Sequence, residues 1–192
     1  MNITRVAIAV IAISIASVLI NGCKKEDNPA APPVTVEHPP ATMVTFIVKD
    51  SAGTAFVDSC TVRDTTLSHI KIPLSGTLDL QSGKHYRCTF KLYDDSSPDS
   101  TIFLNPDIIS EQNAHLFRFK YNAVDTTRVT VSNLDLDGNG LPFGLNFTVW
   151  VTAGGAASGN LHVVLEHHDD GNKSGTEFDL DLDRDFPVVI TP

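Results

Sequence analysis

Basic residues are scarce in this chain: 14 Lys and Arg stand against 23 Asp and Glu among 192 residues, a formal charge of −9. A surface of that sign repels phosphate backbones and sets nucleic acid aside as a partner. Cysteine numbers only 3 and tryptophan 1, so Phe, with 10, carries most of the aromatic content. No uncharged apolar run reaches the roughly 20 residues that a membrane-spanning helix needs. Helical spacing is nearly missing as well: only Pro106 to Asn113 has it, with Asn105 as the expected N-cap and Pro106 as the first helical residue. The familiar catalytic signatures are lacking. There is no G-x-S-x-G elbow, no H-E-x-x-H, no phosphate-cradling G-x-x-x-x-G-K, no dinucleotide fingerprint and no C-x-x-C-H haem attachment. Paired acids for glycoside hydrolysis cannot be singled out by spacing from so many carboxylates.

The N-terminus is dominated by a processing signal. Arg5 supplies a positive start, Val6 to Ile20 an apolar stretch broken only by Ser and Ala, and the run ends in Leu19-Ile20-Asn21-Gly22-Cys23. That ending resembles a lipobox, in which a small residue precedes a cysteine that becomes lipidated. Residues 1–22 are therefore expected to be cleaved and Cys23 to carry the lipid. Arg5 would leave with the signal, making the mature chain more acidic still. Lys24-Lys25-Glu26-Asp27 resembles the charged tag that sends Bacteroidota lipoproteins to the outer leaflet of the outer membrane, so a cell-surface location is expected.

Residues 23–42 read as lipid anchor and tether. Pro29, Pro32, Pro33, Pro39 and Pro40 lie among Ala, Glu and Asn, a composition that cannot bury enough apolar surface to order itself. With Cys23 used for lipid, Cys60 and Cys88 remain in strand-like runs, and an oxidising compartment favours a disulfide between them. It would close a loop of roughly 28 residues and stabilise the fold by a few kcal/mol.

Residues 43–192 read as one all-β domain. Val44, Phe46 and Val48 alternate with polar neighbours, and the same period recurs over Ala55 to Val62, Thr77 to Leu80, His85 to Tyr93, His115 to Tyr121 and Arg128 to Ser132. Leu145 to Thr152 and Leu161 to His167, separated by the small-residue stretch Ala153 to Gly159, suggest a hairpin. Glu177 to Ile190 forms the last strand, and Pro187 within it points to an edge or a bulge. The pattern predicts an antiparallel, Ig-like β-sandwich, with an up-and-down barrel as the alternative.

Three features could hold a cation. Asp135, Asp137 and Asn139 match the first half of an EF-hand calcium loop, but the closing acid falls at Asn146, which is uncharged. Glu177, Asp179, Asp181, Asp183 and Asp185 form a period-2 row; neighbours in such a row lie nearly 7 Å apart, so one ion would need further ligands from another strand. The expected reading is a charged edge that deters sheet-to-sheet association. Among the seven histidines, His38 falls in the tether. His115 opens a strand after Glu111, and His167 and His168 close another. If those strand ends meet, His115, one of the latter pair and a carboxylate such as Glu111 would suit zinc or copper. His167 and His168 point to opposite faces, so only one can join.

Several motifs in order carry a resemblance over Gly76 to Thr191. Phe103-Leu104-Asn105 leads into an acidic helical stretch ending in a histidine, here Glu111 and His115. Asp137-Gly138-Asn139-Gly140-Leu141-Pro142-Phe143-Gly144-Leu145 follows, then Gly159-Asn160-Leu161 through Leu165-Glu166-His167, and an acidic strand running into Phe186-Pro187-Val188. In these the chain resembles a group of small, uncharacterised Bacteroidota lipoproteins often labelled "type 1 periplasmic binding fold superfamily protein". The resemblance implies export, places His115 and His167 at positions where relatives carry histidine, and so implies a shared metal site, but no established activity. The alternating βα units of a periplasmic-binding fold are not found in this sequence. Ser110, Gln112 and Asn113 also depart from a stretch usually acidic in the group.

These readings converge on a surface-tethered, non-enzymatic binding module, capturing a divalent metal for an outer-membrane transporter. A structural or adhesive sandwich without a small ligand, and a hydrolase of surface polysaccharide, are the alternatives.

Overall fold

The computed structural model describes residues 38–73 and 76–192. The expected signal segment, Cys23 and the expected tether up to residue 37 lie outside the described residues. Among the described residues no helix is long and apolar enough to cross a membrane.

Two sheets face each other. The first takes β1 (Met43–Lys49), β2 (Phe56–Arg63), β4 (His85–Asp94), β5 (Ile102–Phe103), β7 (Val129–Ser132) and β8 (Asn146–Val151), in the order β2-β1-β4-β8-β7 with β5 on the end of β4. The second takes β3 (Leu78–Gln81), β6 (His115–Asn122), β9 (Ala157–His167) and β10 (Asp179–Thr191), in the order β3-β10-β9-β6. The sheets do not close on each other, so the molecule is a sandwich and not a barrel. One pair departs from the antiparallel expectation: β3 runs parallel to β10.

Alternation decides which face of each strand is buried. Val44, Phe46 and Val48 of β1 meet Leu161, Val163 and Leu165 of β9 and Phe186, Val188 and Ile190 of β10 in one core. Its centre is aromatic, with Phe46, Phe90, Phe147 and Phe186 packed at ring separations of 5.0–5.7 Å.

Four expectations are corrected. The stretch after β8 does not turn a hairpin: β8 pairs with β4 and β7, whereas β9 pairs with β6 and β10, so the chain crosses between sheets there. Buried Arg128 holds the crossing, donating to the carbonyls of Thr152 and Gly155. Alternation marks a half-buried strand but not its partner. Secondly, Leu104 and not Asn105 precedes the short helix α1 (Asn105–Ser110). Asn105 is buried and stitches the helix to β4, accepting from the amide of Leu92 and donating to the carbonyl of Phe90.

Thirdly, Cys60 and Cys88 are both free and buried. Cys60 lies opposite Phe46 and Cys88 opposite Val48 on the two sides of β1. Two strand spacings and a two-residue offset put their Cα atoms about 12 Å apart, beyond the reach of a disulfide. Burial pushes the Cys60 thiol up to about 11 and the Cys88 thiol higher. Lastly, the ordered domain takes in His38 to Thr42, which composition assigned to the tether. Ala41 and Thr42 are buried; the Ala41 amide donates to the Asp181 carbonyl and the Thr42 amide to that of Tyr93. Short polar links of this kind are invisible to composition.

Candidate metal centre

One end of the second sheet gathers the histidines. β6 and β9 pair so that His115 lies directly opposite His167, and both occupy the core-facing side of their strands, in line with Phe117 and Leu165. The strand ends therefore meet, which the sequence left open, and His167 is the member of its pair that joins. His168 faces away and lies 3.2 Å from a Glu166 carboxylate oxygen that also accepts from Arg118.

Two further residues arrive that the sequence placed elsewhere. Asp181 belongs to the acidic row of β10, but a β-bulge falls between Leu180, opposite Glu166, and Leu182, opposite Leu165. Asp181 is the extra, unpaired residue, and the bulge turns its carboxylate out of the alternating row and toward His115. His38 arrives from the segment before β1. Side-chain exposure is 0% for His115, 4% for His38 and 11% for Asp181.

The geometry around these three is tight. His38 Nε2 and His115 Nε2 are 2.8 Å apart, and Asp181 Oδ2 lies 3.1 Å from the second and 3.5 Å from the first. Each ring is fixed at its other nitrogen. His115 Nδ1 faces the Glu111 carbonyl at 3.0 Å, and His38 Nδ1 faces the Pro39 carbonyl at 3.0 Å. A carbonyl only accepts, so each Nδ1 presents a proton to it, which leaves Nε2 of each ring as the atom open to a shared proton or a metal ion. Two lone pairs and a carboxylate oxygen at such distances repel unless a cation sits among them. A shared proton would relieve the pair; a metal ion would satisfy all three. Zn–N bonds of 2.0–2.1 Å put neighbouring ligand atoms about 3.3 Å apart in a tetrahedron and about 2.9 Å apart at right angles; the 3.1 Å separation falls inside that range, and those of 2.8 and 3.5 Å lie just outside its two ends.

Two more groups stand close. Glu111 Oε2 is buried with no hydrogen-bond partner, and a Glu111 carboxylate oxygen groups with ligand nitrogens of His38 and His115 within 4.8 Å. His167 stacks on His115 with ring centres 4.5 Å apart, and one of its nitrogens lies within 4.8 Å of ligand atoms of His115 and Asp181. A cleft of about 390 Å³ opens beside His167, lined by Asp169, Asp170, Glu177 and Asp179 together with Thr176 and Phe178. Carboxylates in a concave mouth concentrate cations at its inner end.

The calcium-like loop is built differently. Asp135 accepts from the Gly144 amide and the Asn146 side chain. Asp137 accepts from the amides of Asn139 and Leu141, and its other oxygen lies 2.7 Å from the Lys173 ammonium. Burial works against the charge on Asp137, but Lys173 and these amides outweigh it and hold the carboxyl below its usual range. The carboxylates of Asp135 and Asp137 are thus spent on their own loop, and Asn139 contributes its backbone amide.

The rest of the acidic strand behaves as an edge over part of its length. β3 covers β10 only from Val188 onward, so Pro187 lies where no partner on that side needs an amide. Asp183 and Asp185 face outward, Asp185 3.0 Å from His162.

His38 and Asp181 were missed for separable reasons. Proline-rich composition hid the first. An unpredictable bulge hid the second, although the requirement for ligands from another strand pointed to an arrangement of this kind.

No family model matches the chain, nor does any curated protein. Among solved structures, domains 4 and 5 of the S-layer protein SbsC are similar at 12% identity, with a TM-score of 0.30, over 78% of this chain and 77% of that one.

Proposed function

We propose that this protein is a non-enzymatic module that captures a divalent transition metal, zinc or copper, through His38, His115 and Asp181, with His167 and Glu111 alongside. The observation that carries this reading is the convergence of two imidazole Nε2 atoms, 2.8 Å apart, with the Asp181 carboxylate against both. Imidazole and carboxylate together suit zinc and copper; a hard cation such as calcium prefers oxygen alone. The lipobox at Cys23 and the charged residues after it support a lipid-anchored protein on the outer face of the outer membrane. The motif order supports membership of the small Bacteroidota lipoprotein group. In that setting the captured ion would pass to an outer-membrane transporter.

Calorimetric titration of the full chain with zinc, copper and calcium tests the metal reading. One equivalent of zinc or copper should bind. His115→Ala should abolish that binding, and Asp181→Asn should weaken it at least tenfold, since even indirect partners of metal ligands are worth about 10–100-fold. Absence of stoichiometric zinc or copper binding would end the reading, and calcium binding alone would redirect it to the Asp135–Asn139 loop.

A further inference from the structure

The ligands of this centre differ in how they are held. His115, His167 and Asp181 stand on paired strands of one sheet, and the His115 ring is fixed by the Glu111 carbonyl at the end of α1. His38 stands on none. Pro39 and Pro40, which follow it, are exposed and have no amide hydrogen. Among the described residues, the first backbone hydrogen bond tying this segment to the domain is that of the Ala41 amide to the Asp181 carbonyl. Before that point, among the described residues, the hydrogen bonds and ring contacts that attach residues 38–40 to the sandwich all run through the His38 imidazole, against His115, His167 and Asp181. Without a metal ion, those contacts amount to a shared proton at most. With one, they become coordination bonds.

Resting on the metal-binding reading, we infer that His38 is an exchangeable closing ligand: the sheet supplies a standing half-site, and residues 38–40 fold over a bound ion and peel away to release it. Metal occupancy and docking of this segment are then two sides of one equilibrium, each stabilising the other by the same factor. The closing arm answers a need of any capture protein. A centre sealed by four rigid ligands holds its ion well and gives it up slowly. One whose last ligand sits on a three-residue arm opens a coordination position without disturbing the sheet. The covalent path from the arm leads directly to Ala41, bonded to the backbone of Asp181, so arm and carboxylate ligand share an attachment point.

The test compares the full-length wild type with His38→Ala and His115→Ala, using Zn²⁺ alone as the probe. Zinc affinity is measured by calorimetry, and release by stopped-flow transfer to a chromophoric chelator. Hydrogen exchange at the amides of Ala41 and Thr42 is followed with and without zinc. His38→Ala should still bind one zinc, about 10–100-fold more weakly, with the loss appearing in faster release and an unchanged association rate. In the wild type, zinc should slow exchange at Ala41. If His38→Ala abolishes binding as fully as His115→Ala, the arm is an integral ligand and the exchangeable role falls. If release and exchange are unchanged, His38 is a bystander and the inference also falls, while the metal reading stands. If the wild type binds no zinc, the inference falls, and the metal reading falls with it when copper does not bind either. Unfolding midpoints of the metal-free variants, expected to match the wild type for His38→Ala, separate loss of a ligand from loss of the fold.

Discussion

An imidazole binds a metal only through a nitrogen that carries no proton, so the groups that hold the other nitrogen decide whether a histidine is a ligand. Here two backbone carbonyls make that decision for His38 and His115, and neither is encoded by a recognisable side chain. A comparable economy of contacts holds Asp95, whose side chain is 2% exposed. Burial opposes its charge, but Thr42, Ser68 and Arg63 outweigh that and keep its carboxyl below the usual range. Its folded value therefore lies below its unfolded value near ~3.9. The stability it contributes is complete above the unfolded value and is lost as the pH falls through the folded one. Asp95→Asn, which leaves Arg63 without its buried partner, should cost about 3 kcal/mol at neutral pH. It should also flatten the dependence of stability on pH below ~4. Urea unfolding at pH 7 and at pH 3 checks both, and an equal loss at the two pH values would contradict the assignment.

At the scale of elements, the bulge in β10 is the device that makes the centre. It adds one residue between partners of Glu166 and Leu165, and that residue is Asp181, whose carboxylate faces His115. Deleting Leu180 removes the extra residue. Asp181 then falls opposite Glu166, on the face away from His115, while Leu182 keeps its place against Leu165 in the core. The expected result is a folded protein, with the unfolding midpoint moved only slightly, that has lost zinc affinity at least as severely as Asp181→Asn. Retained affinity would show that the carboxylate reaches the site without help from the bulge. Strand positions themselves were largely legible: β1 spans the residues that alternation marked, and most other strands differ by one or two residues at their ends. Pairing was less so. β8 and β9 look like a hairpin because each alternates cleanly beside a small-residue stretch, yet they lie in different sheets.

For the whole molecule, the sandwich is held by its apolar core and not by a covalent bridge. Cys60 and Cys88 flank β1 as separate buried thiols. Loss of a structural disulfide would lower the melting temperature by roughly 5–15 °C in a domain of this size. Reductant is therefore expected to leave the melting temperature unchanged, and the denatured chain should titrate free thiols at both positions before any reductant is added. A reductant-sensitive melt would mean that the cysteines pair after all.

The class of fold was legible in local pattern alone, because a period of two with frequent turns is a property that each segment expresses without its neighbours. The sequence also marked His115 and His167 as strand-end residues that would suit a metal if their strands paired, and left that pairing open. Tertiary structure decided the rest. His38 and His115 are 77 residues apart and His115 and Asp181 are 66 apart, and sheet pairing, a one-residue bulge and the docking of a proline-rich segment bring them together. Those three events depend on which strand each segment finds as its partner. Local pattern does not specify that choice; the burial of all the apolar faces in one core does.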